Sequence, residues 1–75
     1  MIPLSELKPG RHARIEAITG EPALVQRLYE FGLLEGEEVE MVVAAPLGDP
    51  IEFRIGNTRL SLRLREAAGV TVSPL

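Results

Sequence analysis

The chain contains no cysteine and no tryptophan, and it has one histidine, one tyrosine and two phenylalanines among 75 residues. Each shortage excludes a class of function. Without cysteine there is no disulfide framework and no thiolate to bind metal or carry redox chemistry. His12 is the only imidazole, so a zinc or iron site of two histidines cannot be assembled within one chain. Nucleophilic catalysis needs a nucleophile and a base oriented by a third group, and His12 falls on an expected strand with no serine or cysteine beside it in sequence. No GxxxxGK[ST] run is present to cradle a phosphate. No apolar run approaches the roughly 20 residues that cross a bilayer, and the N-terminus lacks the basic and hydrophobic segments of a signal peptide. These absences predict a cytoplasmic protein, not an enzyme and without membrane insertion, that has no catalytic residue, no cofactor and no metal-ligating residue. A net charge of -3 and 4% aromatic residues also argue against nucleic acid as a partner, since few rings are left for base stacking and Tyr29 falls on an expected helix.

What the chain does have is aliphatic: 45% of its residues are hydrophobic, so the core must be built from Leu, Val and Ile, with Phe31 and Phe53 as its largest expected members. At this size about 60% of the unfolded surface is buried on folding, which fits one small domain spanning residues 1–75. The pattern opens with one helical turn at Leu4 and Leu7, ended by Pro9 and Gly10. Residues 11–18 then alternate, with Ala13, Ile15 and Ala17 on one face, as a strand requires. In residues 22–31 the period becomes helical: Leu24, Leu28 and Phe31 share a face, Pro22 suits the first helical position, and Gly32 suits the stop.

Alternation returns in residues 38–45, with Val39, Met41 and Val43 inward, and continues past PLGDP with Ile51, Phe53 and Ile55. Leu60, Leu62 and Leu64 form the next inward set, while Arg54, Arg59, Arg63 and Arg65 are expected on solvent faces of strands. A single turn at REAAG leads to a last short strand, VTV. About five strands with one inserted α-helix fit a mostly β fold, a small closed or nearly closed antiparallel barrel.

The stretch LYEFGLLEGEEVEM places Glu30, Glu35, Glu37, Glu38 and Glu40 close together. The alternate acidic spacing and closing glutamate of a calcium loop are absent, and on a helix end, a turn and a strand these carboxylates are expected to point outward without converging.

Four segments in their order resemble the FeoA family: PLSELKPG at 3–10, RLYEFGLLEGEEVEM at 27–41, APLGDPIEF at 45–53 and LSLRLREAAGVTV at 60–72. The resemblance implies an SH3-like barrel and the role of a small accessory protein of bacterial ferrous iron transport. The partner it implies is FeoB, a membrane permease bearing a cytoplasmic GTP-binding domain. Weak self-association is a separate expectation. Glu35 stands where the family pattern has proline before glycine, which loosens that turn. Two alternatives remain open: the C-terminal SH3-like module of an iron-dependent repressor, weakened because no helix-turn-helix precedes the domain, and a small nucleic-acid-binding barrel.

A protein without catalytic groups acts by shifting a partner's equilibrium, so the expected site is a protein-binding surface. Leu33 and Leu34 follow the helix stop, where at least one should pack inward, and Leu47 tips the PLGDP turn, where burial is hard to arrange. Arg27 lies opposite the helix's apolar stripe. Arg27, Leu34 and Leu47 are therefore the predicted contact residues.

Overall fold

The computed structural model describes residues 1–75, and its backbone forms a single six-stranded antiparallel sheet. The strands are β1 (Ile2–Pro3), β2 (His12–Ile18), β3 (Glu38–Ala44), β4 (Ile51–Ile55), β5 (Thr58–Leu62) and β6 (Val70–Pro74). They lie in the order β1-β6-β2-β3-β4-β5. Two helices complete the fold, α1 (Pro22–Glu30) between β2 and β3 and α2 (Leu64–Ala67) between β5 and β6, with a 3-10 turn at Leu4–Glu6. The strand beyond the expected five is β1, whose two residues are too few to show an alternating pattern. It pairs Ile2 with Val72 and thereby anchors the N-terminus.

Fifteen residues are buried, all of them hydrophobic, and they form one core. Phe53 is its largest member, set between Met41 on β3 and Leu60 on β5. Ile15 faces Val72 across β2 and β6, and Leu4 and Leu7 seal the core from the 3-10 turn.

The first half of each long strand alternates as expected, and a bulge then changes the face. Ala13 and Ile15 are buried, but the register against β6 shifts between Ile15 and Ala17. Ala17 is consequently only half-buried, and Ile18 takes the inward place. In β3 the register against β4 shifts between Met41 and Val43, which leaves Val43, expected inward, 51% exposed. One extra residue on one strand reverses every side chain beyond it. Leu64 is displaced for a different reason. β5 ends at Leu62, the extended Arg63 caps α2, and Leu64 becomes that helix's first residue, 37% exposed.

Phe31 also departs from expectation, standing 48% exposed at the end of α1. The helix closes in a Schellman arrangement: Gly32 donates its N–H to Tyr29 at 2.9 Å, and Leu33 donates to Leu28 at 3.0 Å. Gly32 takes φ +96, a conformation a Cβ disfavours, and this turn swings Leu33 back over Leu28. Both leucines are fully buried, so Leu33 occupies the core position that helical spacing assigns to Phe31.

Candidate functional site

The glutamates of residues 30–40 take different neighbours, except that Glu38 and Glu40 both approach His12, at 2.9 and 4.0 Å. Tyr29 donates its hydroxyl to Glu35 at 2.8 Å, bracing the turn that leads into β3. This hydrogen bond, followed by desolvation and the charge of Glu35, raises the Tyr29 pKa above its ordinary value. His12 Nδ1 lies 2.9 Å from Glu38 across the β2–β3 ladder, with both side chains about half exposed. Glu40 accepts from Arg54 on β4, with Nε at 3.1 Å. That hydrogen bond holds the Glu40 carboxyl below its usual range, with smaller contributions from the charges of Arg54, His12 and Arg59. No group of three or more His, Asp or Glu side chains converges on one point.

The arginines expected on solvent faces divide into two pairs. Arg54 and Arg59 are cross-strand neighbours, each engaged by a carboxylate: Arg54 by Glu40, and Arg59 by Glu52 at 2.9 Å. Arg63 and Arg65 are exposed beyond the end of β5 and have no ion-pair partner.

Leu34 is 44% exposed and Leu47 is 96% exposed. Leu47 is held out by its own loop, which is closed by Gly48 N–H to Ala45 at 2.7 Å and Ala45 N–H to Pro50 at 2.9 Å. Leu34 sits in the tight turn before β3, fixed by Gly36 N–H to Ile15 at 2.7 Å and Glu37 N–H to Leu34 at 3.1 Å. The two leucines thus flank opposite ends of β3, a strand of seven residues. At roughly 3.3 Å per residue that separates the two strand ends by about 20 Å.

Arg27 is half exposed, but its guanidinium is engaged by Glu66 of α2. The other carboxylate oxygen of Glu66 accepts the Arg63 N–H at 2.9 Å, so one largely covered side chain clamps α1 and α2 together. Arg27 is therefore a structural contact as well as a surface cation. Asp49 completes this side of the molecule by accepting the Leu64 N–H at 3.0 Å, which ties the Leu47 loop to the start of α2.

Of the exposed large apolar residues, Met1, Val43 and Leu75 stand apart and the other five fall into two groups. Tyr29, Phe31 and Leu34 surround the helix stop, and Leu47 and Leu64 lie on the two segments joined by Asp49. Sequence reasoning missed Phe31, Leu64 and the Glu66 clamp. For the clamp one signal existed: Glu66 stands three residues after Arg63, the spacing at which a side chain reaches back to a helix cap.

No helix is long and apolar enough to cross a membrane. The FeoA domain model matches residues 2–74. A curated relative, the Fe(2+) transport protein A/Fe(2+) transporter FeoB fusion protein of Porphyromonas gingivalis, is 38% identical over 69 residues. The match takes in 92% of this chain and 8% of the fusion, so the chain spans a small part of that relative. The solution structure of FeoA from Chlorobium tepidum superposes with a TM-score of 0.93 at 42% identity, covering 99% of this chain and 70% of that one. The crystal structure of Stenotrophomonas maltophilia FeoA complexed with zinc, described as a prokaryotic SH3 domain protein, gives 0.85 at 38% identity, covering 97% and 91%. The mostly β, SH3-like architecture and a match from the second residue to the second-last place this chain in the FeoA family, which is associated with ferrous iron transport.

Proposed function

We propose that this protein is a non-catalytic cytoplasmic accessory of ferrous iron transport that docks on the cytoplasmic part of a FeoB-like permease and modulates it. The observation that carries this reading is the fusion of FeoA and FeoB in one relative. Covalent linkage raises the effective concentration of two modules, an arrangement suited to domains that work in contact. The surface chemistry is in keeping with it, because the chain offers exposed leucines on rigid turns. Interface energy concentrates in a few side chains that become fully buried, while charged rim groups mainly set the encounter rate.

Leu34, Leu47 and Arg27 are the proposed contacts, and their separation sets how they must be tested. A partner reaching both leucines has to span the length of β3. Leu34→Asp and Leu47→Asp should each weaken binding to the purified transporter while leaving thermal stability near that of the parent. Arg27→Glu alone would place two carboxylates against each other, so Arg27 is tested as the exchanged pair Arg27→Glu with Glu66→Arg. That pair keeps the interhelical ion pair and reverses the charge at position 27, but it gives up the Arg63 N–H bond, because a guanidinium cannot accept, so the Glu66→Arg single variant is its stability control. Folded leucine variants that bind as tightly as the parent would eliminate this surface. Failure of the parent itself to bind the transporter would eliminate the function.

A further inference from the structure

The sheet has two edges of different character. β1 is two residues long and offers no template, whereas β5 runs for five residues and pairs only with β4. In an antiparallel ladder alternate residues turn their N–H and C=O groups away from the neighbouring strand. The outward row on β5 is bonded to nothing else in the fold. Protein edges are ordinarily guarded by shortness, proline, a covering segment or charge, and of these β5 has only charge.

That charge is of one sign at the exposed positions. Arg59 and Ser61 stand on the outer face of β5, and Arg63, extended at φ -68 and ψ 150, continues the alternation. Arg59 is paired with Glu52, while Arg63 and Arg65 take part in no ion pair in a chain whose net charge is -3. Arg63 and Arg65 line an open depression of about 490 Å³ with Leu64 and Asp49, one of whose carboxylate oxygens accepts the Leu64 N–H, so two cations face a single anion there.

We propose that β5 is a strand-addition site for an extended, carboxylate-rich segment of a partner protein, paired through the free main-chain edge and read by Arg59, Arg63 and Arg65. Residues directly opposite on adjacent strands bring their Cβ atoms within about 5 Å, so acidic residues at alternate positions of the incoming segment meet Arg59 and Arg63. Its other face passes Leu60, half-buried at the rim of the core, and takes small aliphatic side chains there. A second copy of this chain is the poorer occupant. A two-fold pairing centred on Leu60 sets each Arg59 diagonally beside Arg59 and Arg63 of the copy, a repulsion that an acidic strand replaces with attraction.

This site adjoins the Leu47 loop through Asp49 but includes neither Leu34 nor Leu47, and it does not depend on which protein supplies the segment. The test uses a blocked heptapeptide alternating glutamate with valine and threonine, its glutamine counterpart, and a version N-methylated at alternate residues. Amide shifts and hydrogen exchange are followed on the labelled full chain. The glutamate peptide should slow exchange of the outward amides of residues 58–62. The glutamine peptide, and the variant Arg63→Glu with Arg65→Glu, should each bind about fivefold weaker or worse, as for the loss of one or two exposed ion pairs. The N-methylated peptide should give no protection. Unchanged exchange along β5, shifts confined to another surface, or equal binding of the N-methylated peptide would each overturn the proposal. So would protection of β5 that grows with protein concentration alone, which would make a second copy the occupant.

Discussion

Replacing Gly69 by alanine puts a methyl group where the fold already holds an oxygen: an ideal Cβ at this position lies 2.4 Å from the Thr19 carbonyl oxygen. Gly69 does not have the positive φ of the turn glycines, so its need for glycine comes from close approach of the chain and not from backbone conformation. The same residue accepts two hydrogen bonds from Thr19, from the N–H at 2.8 Å and from the hydroxyl at 3.1 Å. Next to this junction the buried Ile18 and Val70 are register partners. Parting the strands enough to admit the methyl costs about 1–3 kcal/mol, as for an overpacked core. Loss of the two hydrogen bonds adds about 1 kcal/mol each, and a stiffer unfolded chain returns about 0.4–1 kcal/mol. The expected net loss is about 2–5 kcal/mol, against a total near 4–11 kcal/mol for a chain of this length at about 0.05–0.15 kcal/mol per residue. The midpoint should fall by about 10–30 °C, as read by thermal and urea denaturation. Gly32 is the control, since nothing lies within 4 Å of its Cβ position and only its φ of +96 requires glycine. At Gly32, asparagine should be tolerated better than alanine because it visits the left-handed region more readily. At Gly69, asparagine should be no better than alanine. A Gly69→Ala protein as stable as the parent, or one rescued by asparagine, would refute the close-approach argument.

Phe53→Ala and Leu62→Ala should each cost about 2–5 kcal/mol by leaving a cavity in the core, whereas Phe31→Ala should cost less than about 1 kcal/mol; urea midpoints of the three variants decide whether Leu33 has taken the place of Phe31. Glu66→Ala should destabilise more than Arg27→Ala, because it also frees the Arg63 N–H, and a double-mutant cycle between the two should show coupling of about 0.5–1 kcal/mol. The pKa of Glu40 is lowered in the fold, so its stabilisation is present above the unfolded carboxyl value of 4.5 and is lost as pH falls through the lower folded value. Glu40→Gln should therefore flatten the decline of stability with acid in that window, and an acid denaturation curve parallel to that of the parent would contradict this. The phenol of Tyr29 should titrate at lower pH in Glu35→Gln than in the parent, as followed by ultraviolet absorbance, because its main hydrogen-bond partner loses its charge.

The sequence by itself determined whatever depends on neighbouring residues. The start and stop of α1 follow from Pro22 and Gly32, and the closing bonds span no more than five residues. The inward faces of Ala13 and Ile15, of Val39 and Met41, and of Ile51 and Phe53 follow from the alternation of extended backbone, which is also local. Composition alone withheld thiol and paired-histidine chemistry. The four family segments in order pointed to the family that the match over residues 2–74 shows.

Tertiary structure decided the rest, for reasons that no local pattern contains. A bulge exists only relative to the strand it is paired with, so the reversals that bury Ile18 and expose Val43 are set by β6 and β4. Leu33 and Phe31 both satisfy a hydrophobic pattern, and the direction of the chain after Gly32 chose between them. Arg27 meets Glu66 across 39 residues of sequence, which turns a predicted contact cation into half of an interhelical clamp. Leu34 and Leu47 looked like parts of one surface until β3 was laid between them. The strand order left β5 with a free edge, since pairing partners are fixed by how the whole sheet packs around its core and not by any residue within Thr58–Leu62.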